Sequence, residues 1–345
     1  MNKQLPIPHA LIDGMKGKNY EFDGAISFAL ESLGEKDYDY WFISGLTGDS
    51  FAQMYYRDHW RGNSAADVRC SDGDVRFVID TIALCGYDCA FVPAQTLVDQ
   101  RALYTKRLVE SINSGNPVLL FWNHWEVCVG YEDDGEILLC VSGNATTPER
   151  IFVDKLFAQE RPAHLQKMLP NPGWFFLGEK QEQKDLAGLY RLAITRLPAL
   201  FAEKSEQYCF GAAAFRAWAD EIENGKYDRM TAEEFSGHQW DLYTNFLCVL
   251  ASNGSEYSWF LQNAQKLNPD MAFLEQISAL YDQMGQLWGG EKPTKGCLEK
   301  IGGGFDVTLK VLQNKRKRAK IVAKIRECAV RTDEVVRLLT RFQAL

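Results

Sequence analysis

The stretch Pro117-Val118-Leu119-Leu120-Phe121-Trp122-Asn123-His124-Trp125-Glu126-Val127-Cys128-Val129-Gly130-Tyr131-Glu132-Asp133-Asp134-Gly135 decides the fold. Residues 117–122 form a continuous apolar run behind the turn residues Ser114-Gly115-Asn116, the pattern of a strand buried on both faces. Residues 125–131 read as a second strand. The polar quartet 132–135 is a hairpin turn that sends the chain back into a third strand over 137–142. A short helix over 153–157 then precedes a fourth strand at 174–177. The expectation is an antiparallel sheet.

Upstream, Asp23 followed by Gly24-Ala25-Ile26-Ser27-Phe28-Ala29-Leu30 predicts a helix with Asp23 as its N-cap. Ile26, Ala29, Leu30 and Leu33 share one face, and Gly34 closes the helix. Residues 38–51 carry an apolar cluster broken by Gly45 and Gly48. Further helices are expected over 75–84, closed by Gly86, and over 96–112. Downstream, residues 178–184 are polar and without apolar anchors, so they read as a linker between domains at 1–180 and 185–345. Beyond the linker, about six segments have helical periodicity (186–201, 209–223, 240–251, 257–265, 271–287 and 309–342). Ile321, Ile325, Cys328, Thr332, Val335, Leu339 and Phe342 recur at spacings of four and three, the seam of a packed bundle. Trp218, Trp240, Trp259 and Trp288 are expected in that bundle's core. The fold class is therefore α+β: an N-terminal domain with an antiparallel sheet, followed by an all-helical domain.

The chain has 345 residues, 46% of them hydrophobic and 24% charged, which excludes disordered and low-complexity classes. No apolar run approaches the ~18 residues of a membrane span. The first 18 residues show no secretion signal. Nine scattered cysteines without a CxxC pair argue against a disulfide framework or structural zinc and for a reducing, cytoplasmic setting. The histidines lack metal-ligand spacing, so no metal and no cofactor is expected. The net charge is −8, yet residues 306–345 hold 11 basic and 4 acidic residues, a local +7 that leaves −15 on the remainder. Such a basic end could bind nucleic acid or a membrane surface, but it lacks interleaved aromatics, which disfavours nucleic acid, and the expectation is that it docks on, or simply offsets, the acidic body.

The order of these elements resembles the papain-like domains of the C39-like cysteine peptidase group. The residues that carry the likeness are a helix ending in Ser114-Gly115-Asn116-Pro117, then His124-Trp125-Glu126-Val127-Cys128-Val129-Gly130-Tyr131, an acidic hairpin, and a strand ending in Ser142-Gly143-Asn144. The chain looks most like the butirosin biosynthesis protein H type, which carries a helical C-terminal half, and Gly211-Ala212-Ala213-Ala214-Phe215-Arg216-Ala217-Trp218-Ala219 resembles that companion domain. The resemblance implies His124 as the base and Asn144 as the residue that holds its ring. It also implies a cysteine at the start of the first long helix, where this chain has Glu21 or Ala25, depending on register. In the shorter register, Asn19 stands where such enzymes carry an oxyanion donor.

Neither Glu21 nor Ala25 replaces a His-activated thiolate. The expectation is a catalytically impaired or inactive member of the group. It would bind an acyl or peptide ligand, free or carried by a carrier protein, and would belong to peptide or secondary-metabolite biosynthesis. Asn19, Asp23, Asn123 and Trp125 are the expected ligand-binding residues. The alternative is an active acyltransferase or amide hydrolase that pairs His124 with a carboxylate such as Asp23 or Glu21. A further alternative is a helical scaffold whose basic last helix binds an acidic partner.

Overall fold

A computed structural model describes residues 2–57, 62–158, 172–181, 185–290 and 292–343, without the side chains of 254–257. It is an α+β protein with nine described strands: β1 (Lys3–Gln4), β2 (Met54–Tyr56), β3 (Tyr87–Pro93), β4 (Val118–Phe121), β5 (Trp125–Glu132), β6 (Ile137–Ser142), β7 (Glu149–Phe152), β8 (Gly173–Lys180) and β9 (Tyr208–Phe210). The chain divides into two compact units. One holds residues 1–47 and 66–189, the other 48–65 and 190–345. Among the described residues no helix is long and apolar enough to cross a membrane.

The first unit is built on a sheet in the order β3-β8-β4-β5-β6-β7, with β1 added on β5. Every pairing in it is antiparallel. The central strands β4 and β5 are buried except for Glu132 at the end of β5, as their apolar runs require. The turn between β5 and β6 places Asp133, Asp134 and Gly135 at φ 48°, 55° and 99°. Aspartate tolerates this left-handed region through local hydrogen bonding, and glycine does so for lack of a Cβ. A bulge follows Cys128, and β1 pairs with Tyr131 and Gly130 beyond it.

The helix expected behind Asp23 runs from Glu21 to Ser32, so Asp23 is its third residue rather than its cap. The cap position is Tyr20, in extended conformation, and Glu21 and Asp23 both lie in the first turn, where carboxylates meet the positive end of the dipole. Asp23 is fully buried and accepts the Thr47 hydroxyl at 3.3 Å. Phe22, Ala25, Ile26, Phe28, Ala29 and Leu30 have no exposed surface. Gly34, at φ +90°, closes the helix as expected. The 75–84 helix also forms, as Arg76–Leu84. The helix expected over 96–112 is two, Ala94–Asp99 and Arg101–Asn113, broken at Gln100. Residues 178–180 extend β8 rather than forming linker, and 182–184 lie outside the described residues.

The second unit departs from the expectation of helices alone. Residues 48–65 group with it, and β2 pairs antiparallel with β9, Met54 opposite Phe210. Its long helices are Leu186–Ala202 from Tyr190 on, Gly211–Glu223, Trp240–Leu267, Leu274–Trp288 and Lys315–Gln343. The segment 240–267, expected as two helices, is one. The last helix begins at Lys315, because extended Asn314 separates it from Leu309–Gln313. Its seam is as the spacing predicts: Ile321, Ile325, Cys328, Thr332, Val335 and Leu339 are buried, while Lys315, Arg316 and Lys317 are exposed. Trp218 is core, packed 5.4 Å from Tyr243, but Trp240 and Trp259 are exposed at 38% and 57%, contrary to expectation. Both lie on the Trp240–Leu267 helix, away from its buried positions Tyr243, Phe246 and Leu250.

A Cβ built on Gly24 would lie 1.8 Å from the Leu11 carbonyl oxygen, so the opening helix and the Leu11 segment touch backbone to side. Gly24→Ala is expected to destabilise the first unit by about 1–3 kcal/mol, because backbone cannot move aside as a side chain can. A thermal melt of the variant checks this, and an unchanged Tm refutes the close packing.

Candidate functional site

The register Phe121↔Trp125 leaves a three-residue loop, Trp122-Asn123-His124, between β4 and β5. Its two flanking indoles point inward. Trp122 is 4% exposed and packs on Phe157 at 5.7 Å, while Trp125 stacks on Phe121 at 4.4 Å and meets Phe22 at 4.9 Å and Phe175 at 5.7 Å. The Trp125 indole N–H donates to Asp67 Oδ1 at 2.7 Å. The ring between them, His124, is turned outward, with 45% of its side chain exposed.

His124 Nε2 lies 3.2 Å from Glu126 Oε1. That hydrogen bond, with the charges of Glu126, Glu21 and Glu149, raises the imidazole above its ordinary value of 6.5 and outweighs its desolvation. Glu21, the first residue of the opening helix, has a carboxyl pushed up chiefly by burial, and Asp67 and Glu126 add to that push. His124 and the backbone N–H of Trp125 act in the opposite sense. Glu21 Oε1 is also 3.7 Å from where a Gly143 Cβ would stand. The arrangement is a carboxylate–imidazole pair open to solvent, with a second carboxyl biased toward its protonated form at a helix N-terminus. It can accept, hold and donate protons.

A comparison of the sequence with models of known protein families finds no match, and a comparison with curated proteins finds none either.

The structure brings together some expected residues and separates others. Glu21 faces His124, whereas Ala25, one helical turn further on, is completely buried. Asn144 is exposed in the turn after β6. The register Glu126↔Ser142 sets that turn across from the His124 loop, but among the described residues the ring pairs with Glu126 and not with Asn144. Trp125 is core and has no free face for a ligand. The Asn123 side-chain oxygen is buried with no hydrogen-bond partner among the described residues. Asn19 precedes the helix, with its backbone N–H on the Tyr40 hydroxyl at 2.9 Å. Asp23 meets Thr47. Cys128 and Cys140 face each other across β5 and β6, and Cys128 Sγ donates to the Gly130 carbonyl at 3.3 Å. Among the described residues no thiol bonds to His124, and no group of three or more His, Cys, Asp or Glu is arranged to hold a metal ion.

Sequence reasoning missed Glu126 and Asp67. Glu126 carried a signal, because a residue two positions along an extended chain faces the same way as His124. Asp67 carried none, being 58 positions from the indole it accepts.

Replacing Glu126 by Gln removes the charge that holds the proton on His124. The imidazole pKa, followed by proton NMR, is expected to fall toward 6.5 in Glu126→Gln. Because the folded-state pKa of His124 is raised, its contribution to stability is full below 6.5 and is lost as pH rises through the folded value. Tm should therefore drop less between pH 6 and 8 in His124→Ala than in the parent protein, and equal slopes would show that the pair is not formed.

Proposed function

We propose that the first unit is a papain-like member of the C39-like group, similar to the butirosin biosynthesis protein H type, without a thiol at the start of its opening helix. It would bind an acyl or peptide ligand, free or carrier-linked, in the cytoplasm against His124. The observation that carries this reading is the half-exposed His124 ring, whose Nε2 is paired to Glu126 so that Nδ1 is the basic nitrogen, and which lies within range of the Glu21 charge at the helix N-terminus. Where the resemblance implies a thiol, the chain offers a carboxyl, so attack on an acyl carbon falls to water. His124 in its neutral form takes a proton from that water and returns it to the leaving amine or alcohol. Glu126 steadies the imidazolium formed between the two transfers. Such a site works without a covalent acyl-cysteine and is slower than a thiolate enzyme.

A second reading is that the surface around His124 binds and does not turn over. The complete burial of Ala25 favours it, since that position has no room for a reacting group.

Hydrolysis of 4-nitrophenyl acetate separates the two. Turnover predicts a rate that rises with pH as His124 loses its proton, falls about tenfold or more in His124→Ala, and is untouched by iodoacetamide. In Glu126→Gln the inflection should move to lower pH. A rate equal to that of His124→Ala at every pH leaves the binding-only reading, and inactivation by iodoacetamide overturns both.

A further inference from the structure

The cations of the last helix, Lys315–Gln343, fall into two sets. Beyond its first turns most are neutralised. Arg326 pairs with Asp220 at 2.8 Å and Glu223 at 2.6 Å, Lys324 with Glu327 at 2.8 Å, and Arg337 with Glu334, while Arg331 bonds to Gln283 at 2.6 Å. Arg341 sits in the last turn, where the dipole favours a cation. At the other end, Lys315, Arg316, Lys317 and Lys320 are exposed, and their side chains make no ion pair or hydrogen bond among the described residues. Arg318, also in the first turns, is spoken for: it is buried against Asp228.

This placement runs against the helix. Its N-terminus is the positive end of the dipole, and cations there are destabilising. Asn314 serves the amides of Lys317, through its side chain at 3.1 Å, and of Arg318, through its carbonyl at 2.8 Å. The amides of Lys315 and Arg316 have no protein acceptor among the described residues. Gln313 bonds to the carbonyls of Tyr227 and Met230, which fixes the loop bearing exposed Arg229 beside the helix start. Asp228 also acts on Lys315 and Arg229, so the cations left unanswered are Arg316, Lys317 and Lys320, which converge with open N–H donors on one end of one helix.

We propose that this end of the last helix is a docking surface for a short acidic segment of another protein, with Arg316, Lys317 and Lys320 taking side-chain carboxylates. Arg316 and Lys320, four residues apart, are neighbours about 6 Å apart along the axis, one turn of the helix. Lys317 lies one residue from Arg316 around the same side. Charge complementarity selects the acid, and the size of the patch selects its length: the three cations span little more than one helical turn, so a short segment stays within about one Debye length of them, ~8 Å at physiological salt. The first half of the helix has no aromatic side chain on which a base could stack.

The test is fluorescence anisotropy of labelled octaglutamate on the full chain, with two variants of equal charge. The wild type is expected to bind, more weakly as salt rises. Arg316→Gln/Lys320→Gln should weaken binding about tenfold, two lost charge pairs of ordinary strength, while Arg337→Gln/Arg341→Gln stays within about twofold. If the first variant melts early, Lys317→Gln carries the test with about a threefold loss expected. Three results overturn the proposal: no binding by the wild type, equal losses in the two double variants, or tighter binding of a short DNA oligonucleotide or anionic vesicles at the same salt.

Discussion

The placement of Trp125 is the constraint on which the first unit depends. Its ring is held by Phe121 from β4, Phe22 from the opening helix and Phe175 from β8, and its N–H reaches Asp67. Four separate pieces of chain thus meet on one side chain. Burial of a residue this large dominates local energetics, and the satisfied N–H removes the penalty that an indole would otherwise bring into a core. With Trp125 fixed inward at the start of β5, the preceding residue has to face outward. That is how the hairpin presents His124.

The same arrangement sets the electrostatics. Phe22 anchors the helix start on Trp125, so its neighbour Glu21 is brought near the imidazole, and Asp67, which accepts the indole hydrogen bond, adds negative charge that acts on Glu21. Packing therefore determines the field around His124. An apolar contact on one side of each residue positions a charged group on the next.

The sheet was legible because its strands are apolar runs bounded by unmistakable turns. β4, β5, β6 and β8 each stand out in the sequence, and Asp133-Asp134-Gly135 turns as its composition requires. Strands β1, β2, β7 and β9, of two to four residues without an apolar run between turns, were not, and neither was β3, in which only Tyr87 and Val92 are buried. His124 could be singled out, but its partner was expected at Asn144 from a resemblance, while the geometry offers Glu126 from simple strand alternation. The helix start was misplaced by three residues because Asp23 has the composition of a cap, whereas the chain begins its turn at Tyr20 without any side-chain cap. The inclusion of 48–65 in the second unit had no sequence signal, since pairing between distant segments leaves no local trace.

That inclusion bears on how the protein is made. Met54–Tyr56 finds its strand partner only at Tyr208–Phe210, about 150 residues later, so the second unit has to close a long loop before its core is complete. During synthesis from the N-terminus, the strand leaves the ribosome well before its mate and carries an unpaired edge of buried-type residues, Met54, Tyr55 and Tyr56. Cutting the protein near residue 180 would strand the same edge permanently, so fragments of the first unit are better made with 48–65 replaced by a short polar linker.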